Sequence, residues 1–190
     1  MAEATLQSGD ALIVVDVQND FCPGGRLPVP DGDRIVPVLN RWITDARDRG
    51  CAVVASRDWH PKGHVSFREQ GGDWPEHCVQ DTDGAAFHPR LRLPEDVVKV
   101  SKGVRLDKDQ YSAFDDTGLG DWLRRRDVHR LWVGGLAEDV CVRATVLSAR
   151  EEGFDVRVVT DATRAIDAEK GRAAEAEMGR AGAELVSTPA

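Results

Sequence analysis

No run of apolar residues in this sequence approaches the length needed to cross a bilayer, and the stretch from Met1 to Asp10 has neither the basic flank nor the apolar core of a secretory signal. Positive charge is also scarce: 25 lysines and arginines against 33 acidic residues give a formal net charge of -8. A nucleic-acid or anionic-membrane surface needs clustered Lys and Arg. The basic run Arg124-Arg125-Arg126 is short and falls at an expected helix end, where it reads as solvated surface. Cys22, Cys51, Cys78 and Cys141 lack the regular close spacing of a disulfide framework and read as thiols in a cytoplasmic protein. Repeats and low-complexity segments are absent as well. With those classes set aside, 190 residues fit one domain spanning residues 1–190 around a single core.

What is present is an alternation of apolar runs with helical patterns. Continuous apolar segments at 11–15, 51–55, 96–100, 128–133, 156–160 and 184–187 read as strands buried on both faces. Between them the pattern predicts helices over about 34–49, with Asp33 as N-cap, and over 121–126, 138–152 and 168–180. The order implies an α/β fold: three layers, a mostly parallel six-stranded sheet flanked by helices, Rossmann-type, with right-handed crossovers. Residues 57–94 form a long irregular stretch rich in Gly, Pro, His and Trp, and a loop of that length inside a domain usually carries function.

The segment from Leu131 to Ala149 runs strand, Gly134-Gly135 turn, then a helix whose first turn carries Cys141. Unpaired N–H groups and the macrodipole converge there, which favours a thiolate nucleophile. Taken alone, Cys141 reads more readily as a small buried hydrophobe than as a nucleophile. Asp16 and Lys102, however, follow two other strands and leave the same edge of the expected sheet, where ligand crevices form. Together the three suit acyl transfer from an amide: Asp16 takes the thiol proton, Cys141 attacks the carbonyl and Lys102 steadies both charges. Backbone N–H groups of Ala137 and Cys141 would face the oxyanion. A second constellation, Asp58, His60, His64 and His77, offers a carboxylate and imidazoles on irregular backbone, as a divalent metal requires. Cys78 adjoins His77 too closely to coordinate with it and reads as packing, and His88 and His129 read as structural.

These residues resemble a known family, the isochorismatase-like cysteine hydrolases, and within it the nicotinamidases (pyrazinamidases). The likeness is carried by Val15-Asp16-Val-Gln-Asn-Asp-Phe21, Pro23-Gly-Gly25, Arg57-Asp58-Trp-His60-Pro, Trp74-Pro-Glu-His77-Cys78, Lys102-Gly103, Tyr111-Ser-Ala-Phe114 and Gly135-Leu136-Ala137-Glu-Asp-Val-Cys141-Val. It implies hydrolysis of nicotinamide to nicotinate and ammonia, with Asp16, Lys102 and Cys141 as catalytic triad. It also implies one divalent ion, zinc first and iron or manganese as alternatives, on Asp58, His60 and His77, with His64 added in some members. Phe21 and Trp74 become aromatic walls for the pyridine ring, Tyr111 and Leu136 complete the substrate pocket, and the Leu136–Ala137 peptide is expected to be cis. The partner is then a small molecule and neither nucleic acid nor membrane, and a homo-oligomer stays open. The segment from Val104 to Gln110 follows no family pattern. Two other readings stand beside this one: a cysteine amidohydrolase of the same superfamily acting on a carbamoyl or maleamate-like amide, and a noncatalytic metal-binding scaffold. Ammonia release with and without chelator discriminates the three.

Overall fold

In strand β1 (Asp10–Val15) the side chains alternate between two cores: Leu12 and Val14 face one side of the sheet, Ala11, Ile13 and Val15 the other, and all are fully buried. That two-sided burial is why the segment is apolar without interruption. The computed structural model describes residues 5–189, so the first four residues of the N-terminal stretch lie outside it. Its order is β1, α1 (Val36–Asp48), β2 (Ala52–Asp58), β3 (Val98–Lys102), α2 (Leu119–Arg124), β4 (Arg130–Leu136), α3 (Arg143–Glu151), β5 (Asp155–Arg164), α4 (Ala168–Arg180) and β6 (Glu184–Val186).

The six strands form one parallel sheet in the order β3-β2-β1-β4-β5-β6. Helix α1 packs Leu39, Trp42, Ile43 and Ala46 on one face, where Trp42 meets Trp132 at 4.9 Å between rings. Helices α2, α3 and α4 cover the other with Leu123, Val146 and Met178. The expected three-layer α/β architecture is therefore present, with every strand pair parallel. The chain reverses direction across the sheet between β1 and β4, and a crevice opens beyond their carboxyl ends. Gly135 sits at that point with φ +134°, and a Cβ there would meet Val15 O at 2.1 Å, so only glycine lets the two backbones approach.

Several boundaries differ from the sequence pattern, for physical reasons. Strands β2 and β3 run on through Asp58 and Lys102, which pair in register with each other, so Asp58 closes a strand where irregular backbone was expected. Strand β4 likewise continues to Leu136, and β5 passes a register shift opposite Val133 and Gly135 before reaching Arg164, with Thr163 Oγ1 donating to Gly135 O at 2.8 Å. Asp33 does not cap α1. It lies in a 3-10 turn ahead of the helix, and its carboxylate accepts from Arg90 at 2.9 Å. Asp167 does cap α4, accepting from the Glu169 and Lys170 amides. The Leu136–Ala137 peptide is cis.

Candidate active site and metal centre

Asp16 follows β1 with φ +48°, a left-handed turn that an aspartate tolerates better than most residues, and it is fully buried. Ser56, which pairs with Val15 from within β2, donates Oγ–H to Asp16 Oδ1 at 2.7 Å. Oδ2 pairs with Lys102 Nζ at 2.7 Å but has no aligned hydrogen-bond donor. The same ammonium reaches Asp58 Oδ1 at 2.5 Å and Cys141 Sγ at 3.3 Å. Lys102 is thus a fully buried cation shared by two carboxylates and a sulfur. Burial pulls its ammonium down, yet Asp16 and Asp58 outweigh that and hold it well above its ordinary value.

Cys141 lies in a π-helical turn, Glu138–Val142, that opens α3, and Ala137 O accepts from both Val140 and Val142. Its Sγ, an oxygen of Asp16 and an oxygen of Asp58 lie within 4.8 Å of one another. The helix start favours a thiolate, and the burial of the sulfur opposes it. Burial pushes the thiol well above its ordinary value, Lys102 pulls the other way, and Asp16 and Asp58 add to the rise. Two carboxylates against one ammonium leave the cluster negative before sulfur ionises, a balance that a divalent ion on Asp58, His60 and His77 would reverse. Burial also raises the Asp16 carboxyl, partly countered by Lys102. Asp58 goes the opposite way: burial would raise it, but Lys102 and the two imidazoles hold it well below the carboxylate range.

Those imidazoles are oriented by backbone. His60 Nδ1 meets Gly103 O at 3.0 Å and His77 Nδ1 meets Pro75 O at 2.7 Å, which fixes both protons on Nδ1 and turns both Nε2 lone pairs inward. Nε2 of His60 is buried with no partner, 3.5 Å from Asp58 Oδ2; Nε2 of His77 stands 3.6 Å from the same oxygen. Ligand atoms about 3.4 Å apart are what a tetrahedral ion with bonds of about 2.1 Å requires, so the donor set fits zinc. Asp16, Asp58 and Cys141 also lie close enough to hold an ion, but Lys102 already occupies that group. His64 does not join the cluster. Its Nε2 donates to Lys108 O at 3.1 Å and its Nδ1 accepts from Ser66 Oγ at 2.7 Å, leaving no free lone pair, and its ring stacks on His60 at 4.3 Å.

A narrow cavity of about 20 Å³, room for one water, joins the sulfur to the imidazoles. Phe21, Trp74 and Tyr111 line it together with Leu27, Asp109, Ala137, Val140 and Ile166. Trp74 Nε1 donates to Tyr111 Oη at 3.0 Å across its mouth. Leu136 is not part of the lining: it is fully buried in the α1-side core, and Ala137 lines the cavity instead. Cys78 packs in the same core, as expected.

Four polar residues escaped sequence reasoning. Ser56 orients Asp16; a lone serine in an apolar strand was the available signal. Gln18 clamps the Asp58 peptide, donating to Asp58 O at 2.7 Å and accepting from its N–H at 2.8 Å. Gln110 accepts the Gly103 N–H at 2.9 Å and so holds the turn that fixes Lys102 and His60. Asp109 faces the cavity. The last three sit in loops, where no periodicity marks them.

The chain matches the Isochorismatase domain family over residues 10–190. It is 44% identical over 198 residues to the nicotinamidase of Escherichia coli, covering 92% of this chain and 93% of that one. Its structure is similar to that of the pyrazinamidase of Pyrococcus horikoshii in complex with zinc, with TM-score 0.92, 48% identity, and coverage of 94% of this chain and 99% of that one. It is also similar to PnC1 from L. infantum in complex with nicotinate, with TM-score 0.88, 37% identity, and coverage of 97% and 96%.

Proposed function

The chain belongs to the isochorismatase domain family, and from that premise we propose that it is an amidohydrolase that converts nicotinamide to nicotinate and ammonia, with pyrazinamide as a further substrate. Residues 1–190 act as a single hydrolase domain. The observation that carries the reading is the Lys102 ammonium, which sits between Asp16, Cys141 and Asp58 and so joins a nucleophile to a metal-ready pair of imidazoles.

Cys141 is the nucleophile. As the sulfur bonds to the carboxamide carbon, its proton passes to Asp16, whose raised affinity for protons suits a general base. Lys102 neutralises the cluster while charge moves within it. The backbone N–H groups of Ala137 and Cys141 face the oxyanion, each such donor contributing on the order of 3 kcal/mol elsewhere. Asp16 then returns the proton to nitrogen, the C–N bond breaks and ammonia departs, leaving a thioester. Water, deprotonated by Asp16, attacks that carbonyl, and the C–S bond breaks as the thiol recovers its proton. Phe21, Trp74 and Tyr111 flank the pyridine ring, for which the cavity, sized for one water in this structure, must widen. Asp58, His60 and His77 would hold a divalent ion, zinc by the donor set, which would supply Lewis acidity for a nitrogen of the substrate beside Cys141.

Among the described residues no helix is long and apolar enough to cross a membrane. Four buried free cysteines support a reducing cytoplasmic location. The test is ammonia release from nicotinamide by zinc-loaded protein, with and without chelator and in Cys141→Ala. Release that persists in that variant overturns the scheme.

A further inference from the structure

We infer that Asp109 sets the charge this cavity tolerates, as a carboxylate at its rim that admits the neutral amide and weakens the hold on the anionic product; the inference rests on the amide-hydrolysis reading. Of the polar side chains lining the cavity, Asp58, His60, His77 and Cys141 have assigned work, and Asp109 does not. Its Oδ1 accepts the N–H of the adjacent Gln110, at 2.9 Å, the Tyr111 hydroxyl lies against the carboxylate, and among the described residues no cation pairs with it. The two cations of its own segment are engaged elsewhere: Arg105 pairs with Asp107 at 3.0 Å and Lys108 with Asp116 at 2.9 Å. The carboxylate stands beside Tyr111, whose phenol is pushed up to about 12 by burial and by Asp109, against the opposing hydrogen bond from Trp74. An unneutralised negative charge therefore faces a space walled by Phe21, Leu27, Trp74, Val140 and Ile166, where apolar surroundings weaken screening.

The reaction chemistry gives that charge a consequence. Substrate is uncharged and product is a carboxylate. A divalent ion added to Lys102 against Asp16 and Asp58 makes the floor of the cavity positive by one unit, which would retain the product. Asp109 brings the balance to zero. It acts on the departing anion through space and is a specificity residue, with no part in bond making.

The experiment compares nicotinate with pyridine-3-methanol, an uncharged ligand carrying the same ring nitrogen, by calorimetric binding to zinc-loaded protein in the Cys141→Ala background. Asp109→Asn is expected to bind nicotinate roughly fivefold or more tightly, an effect that shrinks in high salt, with the alcohol shifted less than twofold. Asp109→Glu keeps the charge and is expected to restore the weaker nicotinate binding. Thermal melts check folding, and Asp109→Ser replaces the asparagine variant if that one is unstable. Equal changes for both ligands, or none for nicotinate, overturn the inference. Failure of the unsubstituted zinc-loaded enzyme to release ammonia would instead remove the hydrolase reading.

Discussion

Lys102 Nζ donates to Asp58 Oδ1 at 2.5 Å, so one ammonium serves both the sulfur cluster and the imidazole pair. Two constellations that look independent along the chain are thereby a single electrostatic unit. Replacing Lys102 by Met leaves two buried carboxylates without their counter-ion, and breaking a buried pair in this way costs about 3–5 kcal/mol. Lys102→Met is expected to lose hydrolysis and to melt well below the parent protein when stripped of metal. Added zinc should recover more of the Tm in the variant than in the parent, because the ion then meets an uncompensated Asp58. Equal melting of the stripped proteins would contradict the shared-cation account.

On the proposed mechanism, Ser56 acts on chemistry through Asp16. Its hydroxyl donates to Oδ1 at 2.7 Å, leaving Oδ2 as the oxygen without an aligned donor. Ser56→Ala removes a donor to the charged form, so Asp16, already raised by burial, rises further. The base must be unprotonated to work. The acid limb of kcat/KM is therefore expected to move to higher pH, with kcat down roughly tenfold to a hundredfold and KM little changed. Ser56→Thr keeps the hydroxyl and should restore the parent pH profile. An unmoved acid limb in Ser56→Ala would exclude the orienting role.

How far the molecule was legible follows from which signals have a period. Ala11–Val15 announces a strand because both faces are buried, and the alternation of such runs with helical patterns is enough for the three-layer sheet. The strand ends were misread because Arg57, Asp58, Ser101 and Lys102 are polar, and polarity at a sheet edge looks like loop until the partner strand is known. Asp58 and Lys102 are strand residues because their charges meet each other. The site itself was visible as motifs, from Asp16 to Cys141, whereas Gln18, Ser56 and Gln110 support it as isolated polar residues. The ionisation of Cys141 depends on more than a local rule. A helix start favours thiolate, but two carboxylates and full burial came from elsewhere in the chain.

Glu138 opens the π-helical turn next to Ala137, and its carboxyl is pushed up to about 7 by burial and by the facing Glu175, against a weaker pull from Arg164. Below the ordinary 4.5 both folded and unfolded chains hold this proton. Between there and about 7 only the folded chain does, so unfolding releases a proton and stability falls as pH rises through that window, then levels off. Glu138→Gln removes the dependence. The variant is expected to lose less Tm than the parent between pH 5 and pH 8, measured on metal-stripped protein. Parallel Tm profiles for the two proteins would rule out Glu138 as the group responsible.

Gly103 adopts φ +64°, and a Cβ there would lie 2.4 Å from His60 Cε1 and 2.5 Å from its Nδ1. The same residue's carbonyl accepts from that Nδ1 at 3.0 Å. Gly103→Ala therefore strains the turn and drives the His60 ring out of the position that aims its Nε2 at Asp58. Lost orientation of a metal-binding imidazole typically costs tenfold to a hundredfold in affinity. Zinc affinity, read by competition with a chromophoric chelator, is expected to fall by roughly that factor in Gly103→Ala. His77→Ala, which deletes a donor outright, should lose zinc at least as completely and raise KM for nicotinamide, while Gly63→Ala, also at positive φ but with open space around it, should melt lower without a comparable loss of zinc. Unaltered zinc affinity in Gly103→Ala would mean that His60 is held by something other than this turn.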